Sequence, residues 1–260
     1  MYQVLKVKMS PADHFSTKSK EYSFSRPHYP ESLFKYLSTI VPHRGVVWDC
    51  ATGNGQAAIG LCKYFKKVIA SDLSKNQIEN GLLRDNILYE VFPAESTNLP
   101  NDSIDLVTVA QAVHWFNFER FYNEVRRVSK KPGGIIAVWS YGMHKINPQI
   151  DKISDRLTVG GDILGNYWPK ETEFVKDGYK TIPFPFEELK SPKFEMVVDW
   201  NLNDLFSYME TWSSVKKFQL RNHYNPLDQF RKDFEILWGQ ENQKRVVRWD
   251  VNLRIGTVKY

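Results

Sequence analysis

The first half of the chain alternates between short, mainly hydrophobic runs and segments with helical spacing of hydrophobic residues. The short runs predict strands at 46–48, 67–71, 88–92, 103–110 and 134–139. The helical spacing predicts helices at 31–40, 57–64, 75–84 and 118–128, the first of them directly after Pro30. Strands that alternate with helices in this way indicate βαβ units, and therefore a parallel sheet with right-handed crossovers.

The pattern changes after Tyr141. The segment 147–192 is rich in glycine, proline and aromatic residues and keeps neither a helical nor a strand period. It is too irregular for a core layer and too aromatic for a disordered linker, so we interpret it as an insertion that faces the substrate. Beyond it, 194–202 and 245–258 alternate enough to predict two further strands, with a helix at 204–218 between them.

Length and composition favour a single domain. The chain has 260 residues, of which 42% are hydrophobic and 25% charged, enough for one substantial core. Its two cysteines, Cys50 and Cys62, lack the spacing of a zinc site and are too few for a disulfide scaffold, which indicates a reducing compartment and no bound metal. No apolar run approaches about 18 residues and no signal-peptide core is present, so we expect a soluble, cytoplasmic protein with no membrane partner.

The charge balance permits contact with anions but does not require it. The formal net charge is +5 and the isoelectric point is near 9.0. Lysines cluster only weakly, at 63–67 and 130–131, where solvated helix C-termini explain them. We therefore expect no specific nucleic-acid partner.

A glycine-rich loop, 49–55, joins the first predicted strand to the helix that follows it. Such a loop lets a ligand approach the backbone closely and directs helix amides at it. Gly53 and Gly55, followed by Ala58, also satisfy the general dinucleotide-binding pattern. By itself the loop therefore indicates a nucleotide-like ligand without separating a dehydrogenase from other enzymes.

Asp72 ends the second predicted strand. A carboxylate at this place can accept hydrogen bonds from both hydroxyls of a ribose. The alternative is that Asp72 caps the next helix, although Ser74 would serve at least as well. Nicotinamide cofactors and other nucleoside cofactors all contain a ribose, so this interpretation does not distinguish between them.

Further blocks of sequence narrow the choice. The chain contains Trp48–Gln56, Ser71–Ser74, Pro93–Glu95 and Lys131–Gly134 in an order that resembles the class I S-adenosylmethionine-dependent methyltransferases. The block Ala110–Phe116, with Tyr22, Arg26, Pro27, Tyr29 and Pro30 upstream, resembles the type 11 small-molecule methyltransferases of the trans-aconitate methyltransferase and embryo-abundant-protein kind. The resemblance spans about 15–141 and extends weakly to Trp168, Tyr179, 183–184 and 211–213.

This resemblance implies S-adenosylmethionine as cofactor and S-adenosylhomocysteine as product. The residues that would bind the cofactor are Tyr22, Arg26, Asp49, Ala51, Gly53, Gly55, Gln56, Asp72, Leu73, Ala94, Glu95 and Gln111. The 49–55 loop would hold the methionine end, Asp72 the ribose and Leu73 one face of the adenine. Ala94 and Glu95 would meet the adenine edge, Gln111 would stand beside the sulfonium, and Tyr22 and Arg26 would belong to a segment that closes over the cofactor.

The resemblance also implies the fold. We expect one α/β domain over 1–260, Rossmann-like, with an open, mostly parallel seven-stranded sheet, one antiparallel strand near the C-terminus and helices on both faces. Its parts would be an N-terminal helical cap (1–42), a cofactor-binding core (43–142), the substrate-facing insertion after the fifth strand (143–192) and C-terminal strands and helices that complete the sheet (193–260).

One position departs from the family pattern. Ala51 stands where the family usually has the first glycine of the loop. If Ala51 has a positive φ the methyl group costs free energy, and if its backbone is extended the cost is small. We expect the difference to affect the affinity for the cofactor more than its identity.

On the substrate side, His114 is the best single candidate for a catalytic base or a hydrogen bond to the acceptor, because it follows the fourth strand at the carboxyl edge of the sheet. The alternative is a structural imidazole that donates to a backbone carbonyl. The candidate substrate contacts are Tyr29, His114, Trp115, Tyr141, Trp168 and Trp212, with Tyr167 as a further ring of an aromatic cage. A carboxylate acceptor would need a cation in the pocket, for which Arg26, Arg221 and Arg254 are available.

The predicted function is methyl transfer from S-adenosylmethionine to an oxygen or nitrogen of a small molecule, a carboxylate among the candidates, by in-line displacement. A nicotinamide-dependent oxidoreductase is the alternative that the loop alone would allow. Such an enzyme does not need the sequence blocks Pro93–Glu95 after the third strand and Gln111–Trp115 after the fourth. A non-catalytic, methyltransferase-like RNA-binding protein is the other alternative. The scattered distribution of lysine and arginine gives it little support.

Overall fold

The protein is described by a computed structural model, which covers residues 26–158 and 160–259. The strands are β1 Val46–Cys50, β2 Lys67–Asp72, β3 Ile87–Val91, β4 Leu106–Ala110, β5 Ile135–Tyr141, β6 Glu187–Leu189, β7 Phe194–Trp200 and β8 Arg245–Thr257. The helices are α1 Glu31–Ile40, α2 Gln56–Leu61, α3 Lys75–Glu79, α4 Phe118–Val128, α5 Pro148–Asp155, α6 Thr172–Lys176, α7 Leu202–Glu210, α8 Ser213–Asn222 and α9 Asp228–Trp238. Short 3₁₀ turns lie at Val113–Trp115 and Gly165–Tyr167.

The strands form one sheet in the order β3-β2-β1-β4-β5-β8-β6, with β7 paired to β8. Strands β1 to β5 are mutually parallel. Strand β8 runs antiparallel to β5, β6 and β7, so among the described strands it alone opposes the direction of the sheet. The Rossmann-like α/β fold and its antiparallel strand near the C-terminus are confirmed.

The sheet has eight described strands, where the sequence predicted seven. The additional strand is β6, three residues long, which pairs with the end of β8 through Leu189 and Ile255. Two of its three residues are glutamates, so it carries no hydrophobic alternation that the sequence could show. Its pairing partner, distant in the chain, determines its conformation.

The order of the strands reverses between β1 and β4. Strands β2 and β3 lie on one side of β1, and β4 and β5 lie on the other. At such a switch point the connections leave in opposite directions, and a crevice opens at the carboxyl ends of the strands. The loops after β1, β2, β4 and β5 therefore face a common space.

The two faces of the sheet bury separate hydrophobic clusters. On β1, Val47 belongs to one cluster and Trp48 to the other, and on β5 Ile136 and Trp139 divide in the same way. The alternation follows from the period of two along a strand. Both faces are thus covered, as a mostly parallel sheet requires.

Helix α4 shows how local sequence signals can determine an element. Its bounds match the predicted helix at 118–128, and the Asn117 side chain caps it by accepting from the backbone N–H of Arg120 at 3.1 Å. Phe121, Val125 and Val128 recur at helical spacing and are fully buried. Helix α2 also begins near its predicted start, but α3 ends at Glu79 instead of 84.

The C-terminal helices differ from the prediction. The expected helix at 204–218 is two helices, α7 and α8, because Trp212 between them has an extended backbone, with φ −67° and ψ 138°. Helix α7 begins with a reciprocal capping box between Asn201 and Asp204. Helix α9 was not predicted, although Phe230, Phe234 and Trp238 recur on its buried face.

Candidate active site

A cavity of about 610 Å³ opens at the carboxyl edge of the sheet. Its wall includes the loops that follow β1, β2, β3 and β4, together with residues from the segment 143–192 and from the turn between α7 and α8. The cavity thus occupies the crevice expected at the switch point of the sheet. A volume of this size suits a small-molecule ligand.

The loop after β1 contains three left-handed residues, with φ of 53° at Ala51, 59° at Gly53 and 91° at Gly55. A Cβ added at Gly55 would lie 2.0 Å from the Tyr89 hydroxyl oxygen and would displace that side chain, and the φ of 91° itself favours glycine. Gly53 lines the cavity, and a Cβ added there would meet nothing within 4 Å. The loop therefore turns an unobstructed stretch of backbone towards the cavity.

Ala51 has a positive φ, so its methyl group costs free energy, as the first of the two possibilities above required. A non-glycine residue in this region costs about 1 kcal/mol relative to glycine. Ala51 therefore stores backbone strain on the cavity wall.

Asp49 supports the loop from below. Its side chain is fully buried and accepts hydrogen bonds from the hydroxyls of Thr52 and of Thr108, the latter at 2.7 Å. Thr108 lies opposite Asp49 in the β1–β4 pairing. Burial raises the pKa of the Asp49 carboxyl to about 6, and the two hydroxyls oppose that rise.

Asp72 joins two of the strand-end loops. One of its carboxylate oxygens accepts from the backbone N–H of Gly53 at 2.9 Å, and the other accepts from that of Ser74 at 2.8 Å. Burial raises the pKa of Asp72, and these backbone hydrogen bonds oppose the rise. The hydroxyl of Ser74 caps α3 by accepting from Gln77, so the alternative that Asp72 is the helix cap is wrong.

Leu73, Ala94 and Glu95 also belong to the cavity wall. Leu73 is 59% exposed, although it is a large hydrophobic residue, and its exposed face borders the cavity. Ala94 and Glu95 follow β3, and the Glu95 carboxylate accepts from the backbone N–H of Asn117 at 3.0 Å. An exposed leucine at the wall of a cavity offers a flat apolar ligand a surface to cover.

Gln111 extends the sheet with its side chain. Its φ is 57°, and its amide accepts from the Tyr141 N–H at 2.8 Å and donates to the Tyr141 carbonyl at 3.0 Å. The side-chain amide thus replaces a backbone pair beyond the last β4–β5 partners. The Tyr141 hydroxyl accepts from Arg26 at 2.9 Å, so a guanidinium also lies at this part of the wall.

Aromatic rings also line the cavity, some at the strand ends and some on later segments of the chain. The rings that line it are Tyr29, Trp115, Phe116, Tyr141, Trp168, Tyr208 and Trp212. Trp212 lies 5.6 Å from Trp168 and 5.7 Å from Tyr208 between ring centroids. Burial raises the pKa of the Tyr29 and Tyr208 hydroxyls, so both remain protonated at neutral pH.

His114 lines the cavity from the turn after β4 and is 7% exposed. Its Nδ1 lies 2.7 Å from the hydroxyl oxygen of Tyr179. Burial lowers the pKa of His114 to about 3, so the imidazole is neutral at physiological pH. The partner of Nδ1 is thus a side-chain hydroxyl, where the structural alternative expected a backbone carbonyl.

Comparison with known proteins relates the chain to methyltransferases. The methyltransferase-domain family matches residues 48–138, from β1 to β5. A Dictyostelium discoideum protein named as a methyltransferase is 36% identical over 208 residues, which are 79% of this chain and 79% of that protein. A solved structure named as a type II methyltransferase from Anaeromyxobacter dehalogenans has a TM-score of 0.83 at 38% identity and covers 90% of this chain and 98% of that one.

The chain belongs to the methyltransferase family. Its fold is the class I fold of S-adenosylmethionine-dependent enzymes. A Saccharomyces cerevisiae protein named as an S-adenosylmethionine-dependent methyltransferase is 28% identical over 167 residues, 58% of this chain and 55% of that protein. With the enzyme class shown, the nicotinamide-dependent oxidoreductase and the non-catalytic RNA-binding protein are set aside.

Most residues that the sequence assigned to this methyltransferase's site line one cavity. They are Arg26, Tyr29, Ala51, Gly53, Gln56, Asp72, Leu73, Ala94, Glu95, Gln111, His114, Trp115, Tyr141, Trp168 and Trp212. Asp49 and Gly55 lie behind the wall, where they support the loop. Tyr22 lies outside the described residues.

Three other candidates lie away from the cavity. Tyr167 packs against Phe218, and its hydroxyl accepts from Asn222 at 2.9 Å. Arg254 forms an ion pair with Glu188. Arg221 belongs to the last turn of α8 and is not part of the wall.

Sequence reasoning missed several wall residues. Tyr208 precedes Trp212 by one helical turn, so its position beside that ring could have been found from spacing. Asp155, Thr158 and Lys176 reach the wall from segments without a readable motif. The fold alone brings these residues to the site.

Two further properties concern the described residues. No helix among them has the length and apolar character needed to cross a bilayer. Within 26–158 and 160–259, no group of three or more His, Cys, Asp or Glu side chains could hold a metal ion.

Proposed function

We propose that this methyltransferase transfers a methyl group from S-adenosylmethionine to an oxygen or nitrogen of a small molecule. One observation carries the proposal: a single cavity is bordered both by the strand-end loops with Gly53, Asp72 and Leu73, and by the rings of Trp168 and Trp212. The first set has the chemistry that a nucleoside and an amino acid need. The second set offers a separate apolar surface to an acceptor.

The residues at the strand ends fit the cofactor. The open backbone at Gly53 leaves room for a ligand, and the Asp72 carboxylate keeps lone pairs that can accept from ribose hydroxyls. We assign Leu73, Ala94 and Glu95 to the adenine. The 49–55 loop, with Ala51 and Gln56, and Gln111 are assigned to the methionine end, together with Arg26 and Tyr22.

The chemistry requires alignment more than acid or base catalysis. When bound, S-adenosylmethionine supplies a methyl group that is already activated by its positive sulfur. The protein holds the acceptor in line, and such positioning can supply about 7–11 kcal/mol. Ring faces such as that of Tyr29 also attract a cation by about 0.5–2 kcal/mol each.

Among acceptors, we propose a carboxylate as the first candidate, as in the trans-aconitate methyltransferase kind of enzyme. Arg26 places a positive charge in the wall, and the nearby Tyr29 and Tyr208 hydroxyls stay protonated. An ionised carboxylate already has a free lone pair, so it needs no group to remove a proton. The wall residues Thr158, Trp168 and Lys176 support a substrate-facing role for 143–192.

We also propose that the enzyme acts in the reducing cytoplasm. Cys50 is buried beneath the site, Cys62 is half-buried, and both are free thiols. A reducing compartment keeps them in this form.

Calorimetry with S-adenosylhomocysteine and with nicotinamide adenine dinucleotide tests the cofactor. We expect binding of the first and none of the second, and the reverse result would refute the proposal. A screen of small carboxylic acids, phenols and amines with a labelled methyl donor then tests the acceptor. Label in phenols or amines but in no carboxylic acid would overturn the carboxylate assignment while leaving methyl transfer intact.

A further inference from the structure

Tyr179 has a backbone conformation that is rare for a bulky residue. Its φ is 62°, directly after Gly178 at 69°, and its side chain is fully buried. A tyrosine in this region costs free energy unless the surroundings require it. Its backbone N–H donates to the Phe174 carbonyl at 2.8 Å, and its carbonyl accepts from Arg254 at 3.0 Å. The structure therefore holds Tyr179 in place from both sides.

The strained position brings the Tyr179 hydroxyl to the His114 imidazole. The hydroxyl oxygen lies 2.7 Å from Nδ1, and the two ring centroids are 5.8 Å apart. Burial raises the pKa of this hydroxyl well above its ordinary value, and the backbone N–H of His114 opposes the rise. The hydroxyl is therefore protonated at neutral pH, and its proton needs an acceptor.

The direction of this hydrogen bond follows from burial. Within the described part of the chain, His114 Nδ1 is the acceptor that the Tyr179 hydroxyl reaches. If Nδ1 carried the proton, it would donate to the tyrosine oxygen and leave a fully buried O–H with no acceptor, which native structures avoid. The Tyr179 hydroxyl must therefore donate, and Nδ1 must accept.

A neutral imidazole whose Nδ1 accepts carries its proton on Nε2. No described residue forms a hydrogen bond with Nε2, and His114 lines the cavity. The Nε2–H group is therefore the ring donor that remains for a ligand of the cavity, whereas a general base would need a lone pair at this nitrogen.

We propose that Tyr179 is a positioning residue that fixes His114 as the Nε2–H tautomer, so that His114 binds a lone pair of the methyl acceptor and removes no proton from it. The tautomer is a property of the protein alone, whereas the contact with the acceptor rests on the proposed function. An acceptor that must lose a proton before attack would lose it to water or to another group.

The tautomer can be measured on the full chain without cofactor or acceptor. Two-bond proton–nitrogen correlation spectra of protein with ¹⁵N-labelled histidine distinguish a protonated ring nitrogen from an unprotonated one. We expect an unprotonated Nδ1 and a protonated Nε2 for the His114 ring, whose signals are assigned by their loss in His114→Gln. A protonated Nδ1 in the wild-type protein would overturn the proposal.

Tyr179→Phe removes the donor while keeping the ring. We expect the ratio of the Nε2–H to the Nδ1–H tautomer of His114 to fall roughly fivefold, as loss of one buried hydrogen bond implies. Tyr122→Phe is the matched control, because the Tyr122 hydroxyl is also buried but donates to the Pro183 carbonyl at 2.7 Å. An equal change in both variants, or in neither, would count against Tyr179. If Tyr179→Phe does not fold, the tautomer of His114 measured in the wild-type protein still tests the proposal.

A second comparison separates a donor from a base once an acceptor is known. His114→Gln retains a neutral N–H donor, whereas His114→Phe has neither a donor nor a base. For a donor role we expect His114→Gln to keep at least tenfold more activity than His114→Phe. Equal loss in the two variants would support a base and contradict the proposal, while cofactor binding by calorimetry would stay unaffected.

Discussion

Two parts of the cavity wall are built in different ways. At the strand-end side, Ala51, Gly53 and Asp72 present backbone and a carboxylate from loops that directly follow β1 and β2. At the aromatic side, Trp168 and Trp212 come from separate segments and meet only in the folded protein. The first side requires a local backbone conformation, and the second requires side chains of the right size in contact. This difference explains why the first side has a sequence motif and the second has none.

Buried titratable groups give the two sides opposite responses to pH. Beneath the strand-end loop, burial raises the pKa of Asp49 to about 6. Behind the aromatic wall, His144 packs near Tyr208 and Trp212, and burial lowers its pKa to about 4. The stability linked to Asp49 is present at low pH and is lost as the pH rises from about 4 to 6. The stability linked to His144 is present above about pH 6.5 and is lost as the pH falls towards 4.

The largest expected effect follows from this contrast. The free energy of unfolding of Asp49→Asn, relative to wild type, should rise by up to roughly 3 kcal/mol between pH 4 and 7. The free energy of unfolding of His144→Gln, relative to wild type, should rise by a similar amount as the pH falls from 6.5 to 4. Urea denaturation of the cofactor-free proteins across this range measures both. Two curves with the same sign of slope would contradict the comparison.

A change at the strand-end side should weaken cofactor binding. Asp72→Ala removes a carboxylate that is placed to accept from the ribose, so we expect the Kd of S-adenosylhomocysteine to rise tenfold or more. Asp85→Ala, which removes an exposed carboxylate outside the cavity wall, is the control and should leave the Kd unchanged. Unchanged affinity of Asp72→Ala in calorimetry would refute the ribose assignment.

A change at the aromatic side should affect the acceptor alone. Trp168→Leu shortens one wall of that side, and we expect kcat/KM for the acceptor to fall about tenfold, as loss of one large ring contact implies. The Kd of S-adenosylhomocysteine should stay within about twofold of wild type. Trp200→Leu is the matched control, because Trp200 is also half-buried but lies outside the cavity wall. A fall in cofactor affinity for Trp168→Leu would show that the two sides are not separate.

The smallest effect concerns the strained loop. Ala51→Gly removes a methyl group from a residue with positive φ, so we expect the free energy of unfolding to rise by about 0.5–1 kcal/mol. Ala58→Gly, in helix α2, should lower it by a similar amount. Denaturant midpoints of the two variants measure the difference. A loss of stability in Ala51→Gly would mean that the backbone of Ala51 is not strained.

Much of the fold could be predicted because its elements carry local signals. Helix α4 has a capping asparagine and regularly spaced buried residues, and β4 and β5 are mainly apolar, buried runs. Strand β6 could not be predicted, because only its pairing with β8 makes it a strand. The division of the predicted helix at Trp212 is likewise a tertiary effect, since the ring is buried against Tyr208 and Trp168.

The sequence by itself determined the strand-end loops and most of the residues that face the cavity, because glycines and acidic residues directly after apolar strands mark backbone conformations that a ligand needs. The enzyme class followed from the resemblance of several sequence blocks to the class I methyltransferases. Only the tertiary structure decided that Asp49 lies behind the wall, that Ala51 has a positive φ and that Tyr179 reaches His114. The contacts of Asp49 with Thr108 and of Tyr179 with His114 depend on which distant residues meet, and no residue type at position 51 indicates a positive φ. Contacts of that kind leave no period or spacing in the chain, so no local pattern could have shown them.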